Sequence, residues 1–388
     1  MDHTNTERSR DELLASLNER FSLDDNGSVE AEAEADNGTF WKERSIVPSL
    51  PGRVGGPVDD VAGADDDTPG IDVYSLTAVA RYASTANTRH ADAESLRRSQ
   101  ALASSLLNRG SRRILFRLPH DWDQRLDELE ADYVYADEFF EHIRSACQLA
   151  VSDNGVVELD PLLLEGPPGF GKTTLVQATQ PVITGEFRQV AMSSIECGSM
   201  LSGSQETWSN SQTGMVFRTL TEGRYANPLI LLDELDKIPR GIRASPEGPL
   251  YQLLEPAVAV RFEDLSIPSV PVNASHVMYW ATANDVARIP EPLYQRCVHI
   301  TIPAPTGEQC AQVVRSVFKR LQSSSPRLTQ FTLDDSAVWA LVGEAPRDVR
   351  KRIRTACGTA LRHGRHLVTA ADLRCERAQA RPMSFMGA

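Results

Sequence analysis

The sequence predicts an α/β fold, with a mainly parallel sheet covered by helices on both faces and a small helical domain after it. Three observations carry this prediction. Short apolar runs alternate with helical patterns through the middle of the chain, the mark of parallel strands joined by crossover helices. One such run, "PLLLEG", enters a glycine-rich turn and then a helix. After Pro303-Ala-Pro305 the strand patterns stop and only helical ones continue.

The elements follow in chain order. Residues 1–22 fit a short amphipathic helix through Leu13, Leu14, Leu17 and Phe21. Residues 23–72 include "EAEAEAD" and "ADDDTPG". Such composition buries too little apolar surface to offset its ordering entropy, which predicts a mobile tail or linker. Residues 74–108, rich in Ala, Ser and Arg, read as helical. The whole of residues 1–112 is therefore expected to be an acidic, low-complexity region, largely disordered and partly helical. From about residue 113 the pattern firms up, with Leu126, Leu129, Val134, Phe139, Phe140, Ile143 and Cys147 at helical spacing. Strands are expected at "PLLLEG", Arg188–Ile195, Leu229–Asp233, Val277–Ala283 and Val298–Ile302. Residues 113–305 thus form the expected α/β subdomain. Residues 306–388 form the expected helical one, with helices over 307–322, 334–343 and 347–362 and no further sheet.

Charge and cysteine usage narrow the function. The net charge is -13 over 388 residues. Residues 1–100 hold 20 acids and 10 bases, and the remaining 288 residues hold 33 and 30. An acidity concentrated at the N-terminus argues against a bulk nucleic-acid binder. The six cysteines form no C-x-x-C pair, and His363 and His366 lack a third ligand, so zinc has no support. Polar residues follow Met1, and no apolar run approaches the roughly 20 residues that a spanning helix needs. A reduced, cytoplasmic protein without a membrane partner is expected.

"LLLEGPPGFGKTTL" fits G-x-x-x-x-G-K-[ST] after a strand and before a helix, the context that gives this motif its meaning. In Gly166, Pro167, Pro168, Gly169, Phe170, Gly171, Lys172, Thr173 and Thr174, the glycines let backbone N–H groups curl around phosphate oxygens. The helix N-terminus adds positive potential. Lys172 is placed for β- and γ-phosphates, and the Thr173 hydroxyl for Mg²⁺. "PLILLDELDK" then brings Asp233 and Glu234 to the C-terminal edge of a buried strand, where open α/β sheets bind ligands. Asp233 is expected in the Mg²⁺ shell, with Glu234 polarising the attacking water.

These motifs, with "PLYQLLEPAVAVRFEDLSIP", "VMYWATANDVARIPEPLYQRC" and "FTLDDSAVWALV", resemble an AAA+ ATPase, and most specifically the ATPase module of the Lon proteases. The likeness covers roughly residues 113–380. It implies an AAA+ P-loop NTPase fold with a helical lid. It also implies that Asn284 is sensor 1, Arg296 the arginine finger that reaches a neighbouring subunit's nucleotide, and Arg347 sensor 2. A finger acting in trans implies a ring of identical subunits, usually six. In Lon a Ser-Lys peptidase follows the lid; here Ala388 comes soon after "LVTAADL", so an ATPase without peptidase activity is expected.

Two stretches remain. Residues 347–366 hold seven Arg or Lys against one acid. With no stacking aromatics, this reads as a basic lid face rather than a nucleic-acid site. "ETWSNSQTG" sets Trp208 among small polar residues, the wrong neighbourhood for a core side chain. The resemblance puts it at the first pore loop, where an aromatic grips a substrate chain, although Ser209 and Asn210 replace the family's apolar residue and Gly. The expected activity is Mg-ATP hydrolysis driving remodelling or translocation of a macromolecule, a polypeptide first, in the manner of a chaperone. The competing readings are a DNA-directed ATPase (a loader or transposition regulator) and an ATP-binding scaffold with low turnover.

Overall fold

The computed structural model describes residues 69–86, 93–195, 198–206, 211–239 and 245–373. The expected helix over 1–22, the acidic stretch to residue 68 and residues 374–388 lie outside the described residues.

The first described strand, β1 (Gly70–Asp72), pairs antiparallel with β2 (Arg112–Ile114). Between them run α1 (Leu76–Ser84) and α2 (Ala93–Arg109). Ser75 caps α1 by accepting from the Ala78 N–H, one of the donors a helix start leaves unpaired. Two helices follow, α3 (Trp122–Asp132) and α4 (Asp137–Ser152). Arg144 on α4 bonds Asp127 at 2.8 Å and Glu130 at 3.0 Å, and also pairs with Asp123, which fixes α4 against α3.

The main sheet has five parallel strands in the order β4-β5-β6-β3-β7. They are β3 (Leu162–Glu165), β4 (Phe187–Ala191), β5 (Leu229–Asp233), β6 (Met278–Ala283) and β7 (Val298–Thr301). Helix α5 (Lys172–Ile183) follows β3. After β4 come α6 (Ser199–Ser202) and α7 (Met215–Glu222). Next, α8 (Glu247–Leu253) and α9 (Pro256–Ala259) lead toward β6, and α10 (Glu291–Tyr294) precedes β7. The central strands are apolar up to their C-terminal ends because both faces are covered. Leu163, Ile230, Leu232, Tyr279 and Ala281 face one core. Their alternates Leu162, Leu164, Leu229, Leu231, Met278 and Trp280 face the other. Each fully buried Leu, Ile or Met among them contributes roughly 1.5–3 kcal/mol.

Two cores mean two coats, and the coats correct the sequence-based boundary at residue 113. The first core is shared with Val73, Val79, Tyr82, Leu106 and Leu107. Residues 69–86 and 93–112 are therefore part of the α/β unit, and the strand at 70–72 falls inside the stretch expected to be mobile. Its pairing with residues 112–114 is non-local, so local composition gave no sign of it. The second core is shared with the C-terminal helices through Val314, Ile353 and their neighbours.

That C-terminal unit holds α11 (Gly307–Ser324), α12 (Asp335–Trp339), α13 (Pro346–Arg362) and α14 (Ala370–Leu373). Thr306 and Gln309 form a capping box at the start of α11. Contrary to the expectation of helices alone, β8 (Thr332–Leu333) and β9 (Leu367–Val368) pair in parallel. Strands of two residues carry no periodicity for a sequence reading to detect. The strand expected over 188–195 ends at Ala191 and continues as a 3₁₀ turn, Met192–Ser194. No helix among the described residues is long and apolar enough to cross a membrane.

Leu107→Ala tests the N-terminal boundary. Leu107 is fully buried against the first core. Truncating a buried Leu costs about 2–5 kcal/mol, so urea unfolding should shift by that amount; a loss below about 0.5 kcal/mol would place residues 69–86 and 93–112 outside the cooperative unit.

Candidate active site

The loop from β3 into α5 is shaped by glycine. Gly166 has φ 153°, and a Cβ there would lie 2.2 Å from the Ile302 carbonyl oxygen. Gly171, the N-cap of α5, has φ 83°, a left-handed conformation that side chains disfavour. This turn aims the start of α5, and with it Lys172, along the C-terminal edge of the sheet. A cleft lined by Glu165, Gly166, Pro167, Asn284, Asp285 and Thr301 opens there.

Lys172 is only 7 % exposed. Its Nζ donates to the carbonyl oxygens of Gly166 at 2.7 Å and Pro167 at 3.0 Å, and to Asn284 Oδ1 at 2.8 Å. Burial pushes the ammonium pKa down, while the charges of Asp236, Asp233 and Glu234 oppose that shift. All three donors of an ammonium are thereby met.

Asp233 ends β5. Its Oδ1 accepts from the Thr173 hydroxyl at 2.7 Å and the Thr282 hydroxyl at 2.6 Å, and its Oδ2 accepts from Gln189 Nε2 at 3.0 Å. The next residue, Glu234, is the one non-glycine residue with positive φ among the described residues, at 59°. Such a conformation costs about 1–3 kcal/mol and persists only where the surroundings enforce it. Here the Glu234 N–H donates to Thr282 Oγ1 at 3.0 Å, which fixes the turn. The Glu234 carboxylate pairs with Lys237, and that bond holds its pKa below the ordinary value.

Sequence-expected residues thus divide into three groups. Lys172, Thr173, Asp233, Glu234 and Asn284 converge around one point. Arg296 and Arg347 do not join them by contact. Arg296 donates to the Pro292 carbonyl at 2.6 Å, lies 3.6 Å from Glu255 and sits 5.8 Å from the centre of the Tyr251 ring. Arg347 is exposed in the first turn of α13. That turn nevertheless abuts the phosphate loop, since a Cβ on Gly169 would meet Ala345 Cβ at 3.0 Å. Trp208 lies outside the described residues.

Sequence reading missed several members of the site. The Tyr135 hydroxyl donates to the Phe170 carbonyl at 2.7 Å, and the Tyr133 hydroxyl lies 3.2 Å from the Thr174 carbonyl. Burial pushes the Tyr135 phenol up, so it stays a neutral donor. Arg320 of α11 donates to the Tyr133 hydroxyl at 2.6 Å and lies over its ring, 4.8 Å from the centroid. Gln309 of the capping box donates to the Val134 carbonyl at 3.0 Å. The available signal was "YVYA", two phenols in a break between amphipathic helices. Thr282 and Gln189 gave none, being ordinary strand residues.

Residues 162–304 match the family described as ATPase family associated with various cellular activities (AAA). This segment is an AAA domain. Lon proteases are among the curated relatives. That of Campylobacter jejuni is 27 % identical over 203 residues, covering 50 % of this chain and 26 % of its own length. That of Desulfovibrio desulfuricans is 30 % identical over 193 residues, covering 49 % and 22 %. The peroxisomal Lon protease homolog 2 of Kluyveromyces lactis is 33 % identical over 156 residues, covering 38 % and 16 %. The chain spans about a quarter of the length of the first two relatives. A solved structure of a Thermotoga maritima RuvB mutant covers 61 % of this chain and 68 % of its own at 14 % identity, with a TM-score of 0.45. The parallel sheet, the glycine turn and the acidic end of β5 are thus those of a Lon-like AAA ATPase domain.

Thr282 gives this geometry a test. Thr282→Val keeps the shape but removes the hydroxyl that serves both Asp233 and the Glu234 N–H. Hydrogen bonds to ionised groups are worth roughly 1.5–3 kcal/mol, so ATP turnover should fall about tenfold or more while binding of a fluorescent nucleotide changes less than about threefold. Unchanged turnover would mean that the Glu234 turn is held by other contacts.

Proposed function

We propose that the chain is a Mg²⁺-dependent AAA+ ATPase that works as a homo-oligomeric ring, with six subunits, and uses ATP hydrolysis to translocate or remodel a polypeptide. One observation carries the reading. The buried Lys172 ammonium, the Asn284 amide and the Asp233–Thr173 pair meet at the C-terminal edge of a parallel AAA sheet. This set fits a nucleoside triphosphate. The glycine turn leaves room for phosphate oxygens, and Lys172 has exchangeable carbonyl partners that a phosphate can replace. A hydroxyl beside a carboxylate suits Mg²⁺, which binds through few protein oxygens plus substrate phosphates. When bound, the ion supplies positive charge to the phosphate oxygens.

In this reading Lys172 and Arg347 balance phosphate charge from the AAA domain and the lid. Glu234 leaves Lys237 to align a water, and Asn284 holds that water's position. Arg296 completes the neighbouring subunit's site. Its moderate exposure and its looser tie to Glu255 leave the guanidinium available to another chain. Trp208 serves as the substrate grip on the loop between α6 and α7. Support for a polypeptide substrate comes from the Lon relatives. A second reading, a DNA-directed ATPase, draws on the exposed basic face of α13 at Arg347, Arg350, Lys351 and Arg354.

Two experiments bear on this. Glu234→Gln should lower ATP turnover by at least about a hundredfold, retain ATP binding and trap its substrate. Casein retained on the ATP-loaded variant supports the polypeptide reading; retention of nucleic acid alone would replace it with the second. The ring is tested by mixing. Loss of an arginine finger costs about 10³ to 10⁵ in turnover, so Arg296→Ala and Lys172→Ala should each be inactive alone. Mixed, they should recover part of the rate, since a Lys172→Ala subunit still supplies the finger that the intact phosphate loop of an Arg296→Ala neighbour lacks. No recovery on mixing would remove the shared-site proposal.

A further inference from the structure

A buried carboxylate stands apart from the nucleotide site, at the neck of the loop between α6 and α7. The neck closes on itself, with Ser204 N–H donating to Gln212 O at 3.0 Å, Gln212 N–H to Ser204 Oγ at 2.7 Å and Ser211 Oγ to Ser204 O at 3.0 Å. Asp264 pins it from the side. Fully buried, Asp264 accepts from the Gly214 N–H at 2.7 Å through Oδ2. Its Oδ1 accepts from the Ser266 N–H at 2.9 Å and the Ser266 hydroxyl at 2.6 Å. Two backbone bonds run alongside, Glu206 N–H to Leu265 O at 3.0 Å and Leu265 N–H to Ser202 O at 2.7 Å.

Glycine makes the approach possible. Gly203 has φ 76°, and a Cβ there would fall 2.0 Å from Asp264 Oδ1. A Cβ on Gly214 would fall 2.4 Å from the Gly203 nitrogen. Both ends of the neck are therefore bare backbone pressed around one carboxylate.

The charge is not there for stability. Burial pushes Asp264 up to about 6, against the opposing pull of the Ser266 and Gly214 bonds and the charge of Arg218. A folded-state pKa above the unfolded value contributes stability only at low pH, and that contribution is lost as pH rises through about 6. Ionising Asp264 therefore costs stability as pH rises through about 6, while its three accepted hydrogen bonds tie Gly214 to the Ser266 turn.

The other side of Asp264 leads to the nucleotide site. Phe262 and Val272 pair across a bridge, with N–H to O distances of 3.0 and 2.9 Å. Ile267, Val270 and Val272 are fully buried, and Ala274 and Val277, on the way to β6, are buried as well. The chain then enters β6 and ends at Asn284, which accepts from Lys172.

We propose that Asp264 is a positioning residue that locks residues 203–206 and 211–214 to the segment ending in Asn284, so that nucleotide state at Lys172 reaches this neck. This rests on the ATPase reading of the site. The test is hydrogen exchange of backbone amides in the full chain, on the Glu234→Gln background, with and without Mg-ATP. ATP should change exchange at 203–206 and 211–214 by at least about threefold. Adding Asp264→Asn turns an amide N–H₂ toward one donor set, so exchange at Gly214 should rise about tenfold or more and the ATP response of the neck should vanish. Exchange at residues 166–174 should still slow with ATP. Ser266→Ala keeps the carboxylate and removes one donor; it should weaken the neck's ATP response in a chain that folds even if Asp264→Asn does not. A neck response that survives in both variants, or that is missing before either is made, overturns the proposal. If residues 166–174 themselves ignore ATP, the ATPase reading fails and the proposal falls with it.

Discussion

The site depends on keeping one ammonium charged in a nearly dry place. A buried lysine is stable as a cation only when its donors are met and opposite charge lies near. The glycine turn supplies two carbonyls, β6 supplies Asn284, and β5 with the following turn brings three carboxylates close enough to favour the charge. Those partners come from separate parts of the chain. They meet because the strand order puts β3 beside β6 and β6 beside β5. The sheet topology is thus the condition under which Lys172 can be both buried and ionised.

The neighbouring carboxylates are held in contrasting ways. Asp233 is locked by three donors, two of them hydroxyls that also bind the flanking elements. Glu234, one residue on, bends into a left-handed turn and points toward an exposed lysine. Rigidity suits a group that must wait at a fixed place. A strained turn beside a weak, solvent-screened ion pair suits a group that must change partners.

Much of this was legible in the sequence, because the strands that build the site are buried on both faces and read as uninterrupted apolar runs. Leu229–Asp233 was visible to the residue, and "GPPGFGKTT" named its own turn through its glycines. What was hidden has a common cause. The strand at 70–72, the β8–β9 pair and the Tyr133 and Tyr135 bonds all join residues far apart in the chain, and none repeats often enough to leave a period. Thr282 looks like any strand threonine until Asp233 and Glu234 are seen on the adjacent strand. Arg296 and Arg347 were readable only through resemblance, and within a single chain they keep partners of their own or face solvent.

The Tyr133–Tyr135 segment has a further meaning. One tyrosine holds the Phe170 carbonyl of the phosphate loop, the other lies under Arg320, and the residue between them is bonded to Gln309 at the start of the C-terminal helical unit, the lid of the proposed ATPase. Loop and lid are therefore fastened to the same three residues. By thermodynamic linkage, anything that binds the loop more tightly when the lid is docked must steady the lid by the same free energy. Occupancy and lid order are then two readings of a single equilibrium, and a lesion in either reports on both.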